Sequence, residues 1–326
     1  MSMTWEGKPY RSLDYEMKTH FGEKVYRLAL NGGMTCPNRD GTIGHGGCIF
    51  CSGEGSGEFA AKAFLSIPEQ LSLQKQIIRK KRPVHKFIAY FQAFTNTYAP
   101  VSYLEQIFTQ AMEDPEVAIL SVATRPDCLP PDVLALLARL NRQKPVWIEL
   151  GLQTIHDKTA KLIRRGYPLT CFEEAVHHLR TSGIDVIVHT ILGLPGETRD
   201  QILETISYLN DSGIQGIKLQ LLHILKGTDL ACYYEQTKFP VLSMQDYISL
   251  LIDCIERLSP DITVHRLTGD GPKDLLIEPQ WSTQKRTVLN QIHAAFRTRD
   301  TWQGKLLPIS TYAAKEAPHV RTIHTV

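Results

Sequence analysis

Residues 25–51 read VYRLALNGGMTCPNRDGTIGHGGCIFC. The apolar run Val25 to Leu30 predicts a buried strand, and the glycine-rich stretch after it predicts an irregular loop carrying Cys36, Cys48 and Cys51. Iron–sulfur clusters are held by cysteine thiolates and usually use four of them. A compact group of three therefore points to a cluster with one iron left for a ligand from another molecule. His45, between the cysteines, also completes a Cys3His set of the kind that tetrahedral zinc accepts. The residues leave both readings open. The setting favours the cluster, because zinc modules usually pair two short ligand turns across a small fold of their own, whereas this group hangs on one long loop. Disulfides fit worse than either: the seven cysteines are an odd number, no secretory leader is visible, and a chain of 326 residues does not need staples.

Composition sets the outer bounds. A chain that is 43% hydrophobic and 21% charged can bury a large core, and no apolar stretch reaches membrane length, so a cytoplasmic enzyme is expected. A formal net charge of +2 neither demands nor excludes a nucleic-acid partner.

Outward from the first strand, further β-rich runs follow at Lys86 to Phe91, Ala118 to Ala123, Val146 to Leu150, Asp185 to Leu192, Gly216 to Leu221 and Ile262 to Leu267. Between them lie segments with helical apolar spacing, such as Leu104, Ile107, Phe108 and Met112, or Val133, Leu136, Leu137 and Leu140. Capping-box spacings at Ser66 with Glu69, Ser102 with Glu105, Thr170 with Glu173 and Thr198 with Gln201 predict helix starts, and Gly183 and Gly213 predict ends. Repeated βα units make a parallel sheet with right-handed crossovers, either a barrel or a doubly wound sheet. Both bind ligands at the carboxyl ends of the strands, where the cysteine loop sits. The expected organisation is an opening segment over residues 1–19, a core over 20–267 and a C-terminal extension over 268–326.

The cysteine loop, with Phe50 before the last cysteine and βα repeats behind it, resembles the radical S-adenosylmethionine (SAM) superfamily. The wide gap after Cys36 is similar to its YhcC-like, YtqA-like and Elongator-like branch. So are Ser121 to Pro130 (SVATRPDCLP), Glu149 to Asp157 (ELGLQTIHD), Leu162 to Tyr167 (LIRRGY), His189 to Glu197 (HTILGLPGE) and Lys218 to Leu230 (KLQLLHILKGTDL). The resemblance implies an α/β fold, a partial parallel (β/α)6-type TIM barrel with a C-terminal extension. It also implies a [4Fe-4S] cluster on Cys36, Cys48 and Cys51, and SAM on the open iron, cleaved to a 5′-deoxyadenosyl radical that takes hydrogen from an unreactive carbon. Gln153 and Arg165 match positions that contact the methionyl part of SAM, His189 one that reaches the ribose, and Gly193 one where backbone approaches the adenine. Two positions depart from the family pattern: Ala123 stands where relatives carry a ribose-binding glutamate, so that contact is either missing or supplied by Thr124 or Glu149, and Gln92 or Asn96 replaces a Gly-Gly-Glu turn. Glu149 can equally be an interior carboxylate paired with Lys218, since burying it unpaired is costly.

Cys128, Cys171, Cys232 and Cys254 are scattered, so no second cluster is expected, and packing roles suit them. Basic residues gather at Arg79 to Arg82, at Arg164 and Arg165, and at Lys285, Arg286, Arg297 and Arg299 with Trp281, Phe296 and Trp302 nearby. Cations interleaved with aromatics suit an RNA loop, and a solvated helix face is the alternative. The Elongator-like branch works on the wobble uridine of tRNA, which implies tRNA as partner and conversion of a carboxymethylaminomethyl side chain to aminomethyl, with an electron donor such as flavodoxin or ferredoxin. No acetyltransferase region is expected after the barrel, so acetyl transfer is not. The rival readings are a radical enzyme on a small metabolite or porphyrin-like molecule, and a zinc-stabilised RNA-binding protein without catalysis.

Overall fold

In the computed structural model, residues 3–308 are described; the last part of the expected C-terminal extension, 309–326, lies outside them, as do residues 1 and 2. The strands are β1 (Tyr26–Leu30), β2 (Phe87–Phe91), β3 (Val117–Thr124), β4 (Val146–Gln153), β5 (Asp185–Leu192), β6 (Gly216–Leu221), β7 (Ile224–Leu225), β8 (Thr263–Arg266) and β9 (Leu276–Glu278). The helices are α1 (Leu13–Phe21), α2 (Ile67–Arg79), α3 (Val101–Glu113), α4 (Pro131–Asn141), α5 (Asp157–Leu162), α6 (Leu169–Thr181), α7 (Arg199–Asp211), α8 (Asp229–Thr237), α9 (Met244–Arg257) and α10 (Lys285–Arg299).

Seven strands pair in parallel in the order β1-β2-β3-β4-β5-β6-β8 and form a curled half-barrel, as the seven apolar runs predicted; β7 and β9 make a small antiparallel pair beside it. β4 runs three residues past its expected end, to Gln153, through an irregularity at Gly151/Gln153 in its pairing with β5. Among the described residues no helix is long and apolar enough to cross a membrane.

Two cores sit on opposite faces of this sheet. On the outside, the apolar stripes of the helices meet the outward residues of the strands, with Phe108 of α3 edge-on to Phe91 of β2 at 5.0 Å between ring centroids. On the inside, Ile88, Ile119, Trp147 and Ile187 fill the lower part of the curl. Because side chains alternate along a strand, the next inward positions up are Tyr90, Ser121, Glu149 and His189, and the ones above those are Gln92, Ala123, Gly151 and Ile191. Apolar packing thus gives way to a polar layer and then to small or uncharged residues, which opens the upper end.

Helix boundaries follow local chemistry. Capping boxes form at Ser66 with Glu69 and at Thr198 with Gln201. Those expected at Ser102 and Thr170 do not: the caps of α3 and α6 lie two residues earlier, at Pro100 and Pro168, with no side-chain bond. Proline's fixed φ presets the entry, so the hydroxyls, now second in each helix, are not needed as caps. Gly183 and Gly213 take positive φ just past α6 and α7, as expected.

Phe108 is fully buried, so Phe108→Ala should cost about 3–5 kcal/mol. Urea unfolding at constant m-value checks this, and a loss near zero would mean that the outer core is not packed as described.

Candidate functional site

The upper end of the curl opens into a cavity of about 780 Å³, whose wall includes all three cysteines of the first loop. That loop is pinned from several sides. Within it, the Cys36 carbonyl accepts from Arg39 N at 2.8 Å and the Cys48 carbonyl from Cys51 N at 3.0 Å. Outside it, Ile49 N donates to Ile163 O at 3.2 Å and Leu230 N to Ile49 O at 2.8 Å, which ties the loop to the ends of α5 and α8. Asn38 Nδ2 donates to Arg164 O at 2.6 Å and lies 3.6 Å from Cys48 Sγ. Gly47 stands at φ +82°, and a Cβ there would come within 2.9 Å of Arg39 Nε, so this turn requires glycine.

The thiols sit in a positive field. A hydrogen bond with Cys51 brings the Cys48 thiol down to about 7, helped by Arg125, Asn38 and Arg164 against burial. The same bond, together with burial, holds Cys51 well above its ordinary range, so the pair gives up one proton readily. The donor set fits a cluster with an open iron: three cysteines on the wall and no fourth, since Cys128 is buried behind it with Sγ 3.7 Å from Asp127 Oδ1. Burial pushes the Cys128 thiol up to about 12. Cys171 is on α6, Cys232 on α8 and Cys254 on α9, none of them lining the cavity. His45 is exposed and off the wall, so the Cys3His grouping is not assembled. Among the described residues no three of His, Cys, Asp and Glu converge on a single-ion site.

The floor is a buried ionic network. Glu149 of β4 has no exposure; Oε1 accepts from Ser121 Oγ at 2.9 Å and has Arg27 Nη2 at 3.5 Å, while Oε2 takes His189 Nε2 at 2.6 Å and the Lys218 ammonium. Lys218 Nζ also donates to Tyr90 Oη at 3.1 Å and lies 4.4 Å from the centre of that ring. Burial would raise the Glu149 carboxyl, but Lys218, Arg27 and His189 outweigh it and hold the group well below its usual range. His189 is lowered as well, to about 4, because burial and Lys218 both disfavour its charged form beside a carboxylate already matched. The interior pairing of Glu149 with Lys218 expected from the sequence is therefore present.

The other expected residues divide. Gln153 lines the cavity at the end of β4 with φ +68°, and its Oε1 is buried without a partner. Arg165 also lines it, yet its guanidinium is spent on main-chain carbonyls: Nε and Nη2 on Tyr167 O, Nη1 on Leu152 O and Thr154 O. His189 lines it with Nε2 turned to Glu149. Gly193 stands apart, off the wall at φ +88°, where a Cβ would meet Leu242 Cδ1 at 3.0 Å. Ala123, Thr124 and Gln92 are on the wall, but Asn96 is fully buried and fixed to Phe91 O and Ala123 O.

The basic groups read as an RNA surface are also sorted. Arg79 bonds to Val84 O and pairs with Glu116, just ahead of β2 and β3, so that cluster is at the amino end of the strands, away from the cavity. Phe296 is core, tilted on Tyr10, and Trp281 Nε1 is tied to Leu242 O. Arg299 pairs with Asp253 and Glu256 of α9. Of Lys285, Arg286, Arg297 and Arg299, Lys285 lines the cavity, as does Lys273. Sequence reading missed Arg27, Tyr90 and Arg266 of the floor and wall. Each is a polar residue inside an apolar strand run, and that interruption at an inward position is the signal that marks them.

The family model described as the Radical SAM superfamily matches residues 38–209, and that of the Radical_SAM C-terminal domain matches residues 214–298. The chain is similar to the protein YtqA of Bacillus subtilis, 48% identical over 298 residues, covering 91% of this chain and 92% of that one. A tRNA uridine(34) acetyltransferase of Dehalococcoides mccartyi is 26% identical over 160 residues, covering 47% of this chain and 33% of that protein. Among solved structures, the archaeal Methanocaldococcus infernus Elp3 with an N-terminal deletion superposes with a TM-score of 0.65 at 15% identity, over 86% of this chain and 64% of that one. That likeness establishes the curled-sheet fold.

Two outcomes follow from the floor. Lys218→Met should lose about 3–5 kcal/mol in urea unfolding, because Glu149 is left buried with too little opposing charge, and Glu149→Leu added to it should recover much of the loss. Two equal losses would show that the pair is not coupled. The second concerns pH. His189 and His223 are held near 4 by burial, below the ordinary 6.5, so the unfolded chain takes up protons first on acidification. Their contribution is complete above about 6.5 and is lost as pH falls toward 4. The urea midpoint should drop between pH 7 and pH 5, and His223→Asn should make that slope shallower; an unchanged slope would place His223 in water.

Proposed function

We propose, from the premise that this chain belongs to the radical SAM superfamily, that it modifies the wobble uridine of tRNA, converting a carboxymethylaminomethyl side chain to aminomethyl. Its cofactors, a [4Fe-4S] cluster and SAM, supply reductive cleavage of a sulfonium and, through it, abstraction of hydrogen from an unreactive carbon beside the amine. Cys36, Cys48 and Cys51 would hold the cluster, with Arg39 and Arg125 keeping positive charge near the thiolates.

The remaining residues bind, orient and exclude water. Gln153, whose carbonyl oxygen has no partner among the described residues, is suited to accept from the amino group of SAM. Arg165 fixes the carbonyls of Leu152, Thr154 and Tyr167, and so shapes the end of β4 where the methionyl part would lie. His189, neutral and anchored on Glu149, is placed for the ribose, whereas Gly193 would act through the backbone behind the wall. A cytoplasmic setting and a flavodoxin or ferredoxin donor complete the proposal.

The observation that carries the tRNA reading is an exposed aromatic on the cavity wall. Phe59 is 53% exposed there, with Lys273 and Lys285 exposed on the same cavity. A large ring left facing water is a ready platform for an unstacked base, and the lysines suit its phosphates. The name of the Dehalococcoides relative, which refers to uridine 34 of tRNA, agrees with this.

Protein reconstituted anaerobically should be brown and should form 5′-deoxyadenosine with SAM and dithionite. Total tRNA from cells lacking the gene should accumulate carboxymethylaminomethyluridine at the wobble position at the expense of aminomethyluridine. Unchanged wobble nucleosides would overturn the tRNA assignment, and a colourless protein that binds zinc would overturn the radical chemistry as well.

A further inference from the structure

Eight arginines and lysines line the cavity against three carboxylates, Glu58, Glu149 and Asp270. Most of these cations are already matched. Lys218 is taken by Glu149, Lys285 by Asp270 at 2.7 Å, and Arg125 by Asp127 in a bidentate pair, while Arg39 and Arg165 donate to main-chain carbonyls. Three are left short, Arg27, Arg266 and Lys273, and of these Lys273 is exposed to water. Arg27 Nη2 donates to a neutral acceptor, His265 Nδ1, at 2.9 Å, and shares Glu149 at 3.5 Å with three other donors. Its Nε is buried and has no partner among the described residues. The nearest carboxylate to Arg266 is Asp270 at 3.7 Å, beyond hydrogen-bond length, and Lys285 holds that group more closely.

These two guanidinium groups belong to β1 and β8, the opposite edges of the curled sheet, and both face the same cavity. They also act on one point: burial holds the Lys218 ammonium well below its ordinary range, Glu149 opposes, and Arg27 and Arg266 both push in the direction of burial. Charge of one sign gathered in a partly dry pocket is costly until an anion enters, and the planar fork of arginine matches a carboxylate better than other common anion binders do.

We propose that Arg27 and Arg266 form a seat for a carboxylate carried by the substrate. Its identification with the acid end of the carboxymethylaminomethyl group rests on the tRNA reading above; the preference for a carboxylate does not. Seated there, the acid would set the depth at which the side chain enters and select against wobble uridines that end in a neutral group.

The test uses anaerobically reconstituted holoenzyme and two forms of one tRNA, bearing carboxymethylaminomethyluridine or methylaminomethyluridine at the wobble position. Wild-type protein should bind the carboxylate form about tenfold more tightly, and Arg266→Gln should erase that preference, the scale of one charge-assisted contact. Arg266 is preferred to Arg27 for substitution because it makes no hydrogen bond that the fold needs, whereas Arg27 bridges β1 to β8. Equal binding of both tRNAs by wild type would overturn the seat and leave the tRNA reading standing. If neither tRNA binds, the tRNA reading falls, and iminodiacetate titrated into wild type and Arg266→Gln decides the seat alone. Binding weakened about tenfold by the substitution supports it; no binding, or equal binding, overturns it.

Discussion

A carboxylate with no exposure to water sits in the middle of a parallel sheet, and the rest of the interior is arranged around it. Removing Glu149 from solvent is tolerable only if opposing charge and hydrogen bonds replace the lost hydration. Here they come from four other strands: Arg27 on β1, Ser121 on β3, His189 on β5 and Lys218 on β6. A strand shifted by one residue would turn its partner to the outer face and leave Glu149 without it, so the network also fixes register. It divides the curl into a packed lower half and an open upper half, and the cavity begins where apolar filling stops.

Above that layer the wall is built from chain ends, as is general for parallel α/β folds. The cysteine loop leaves β1, Gln153 ends β4, and Arg165 follows α5 with its charge turned onto carbonyls. Arg125 and Arg165 both lie over the Tyr167 ring, at 5.0 and 4.8 Å from its centre. The positive field felt by the thiols is therefore held in place by packing and by main-chain bonds, with little freedom left to the side chains that create it. Thiolates gathered on one loop would otherwise repel each other, and this field offsets that cost.

How far the sequence disclosed this depended on whether a feature is local. Strand runs such as Phe87–Phe91 or Asp185–Leu192 were legible because burial on both faces demands continuous apolar residues, and the cysteine trio was legible because its three ligands share one loop. Capping was only half legible: the Ser102 and Thr170 spacings are right, but a proline two residues earlier marks where each helix begins. The role of Arg165 was the least legible. Nothing in LIRRGY says that the second arginine turns inward to three carbonyls while Arg164 reaches Asp229, since that depends on a positive φ at Arg164 and on the distant α8. The RNA-like mixture of cations and rings in the last helix misleads for a similar reason, because Phe296 faces Tyr10 across nearly the whole length of the chain.

The unclosed barrel ties these points together. A sheet with two free edges invites pairing with other strands, and here each edge is met at one point by its own chain: Val264 N donates to Arg11 O at 2.7 Å on β8, and Ala61 N to Ala29 O at 2.9 Å on β1. The gap between β1 and β8 is bridged by side chains, of which Arg27 to His265 is one. A closed barrel would spend those positions on backbone pairing and interior packing. An open one leaves them to carry charge, so the place where the sheet fails to close is also the place where this protein can set the electrostatic character of what enters.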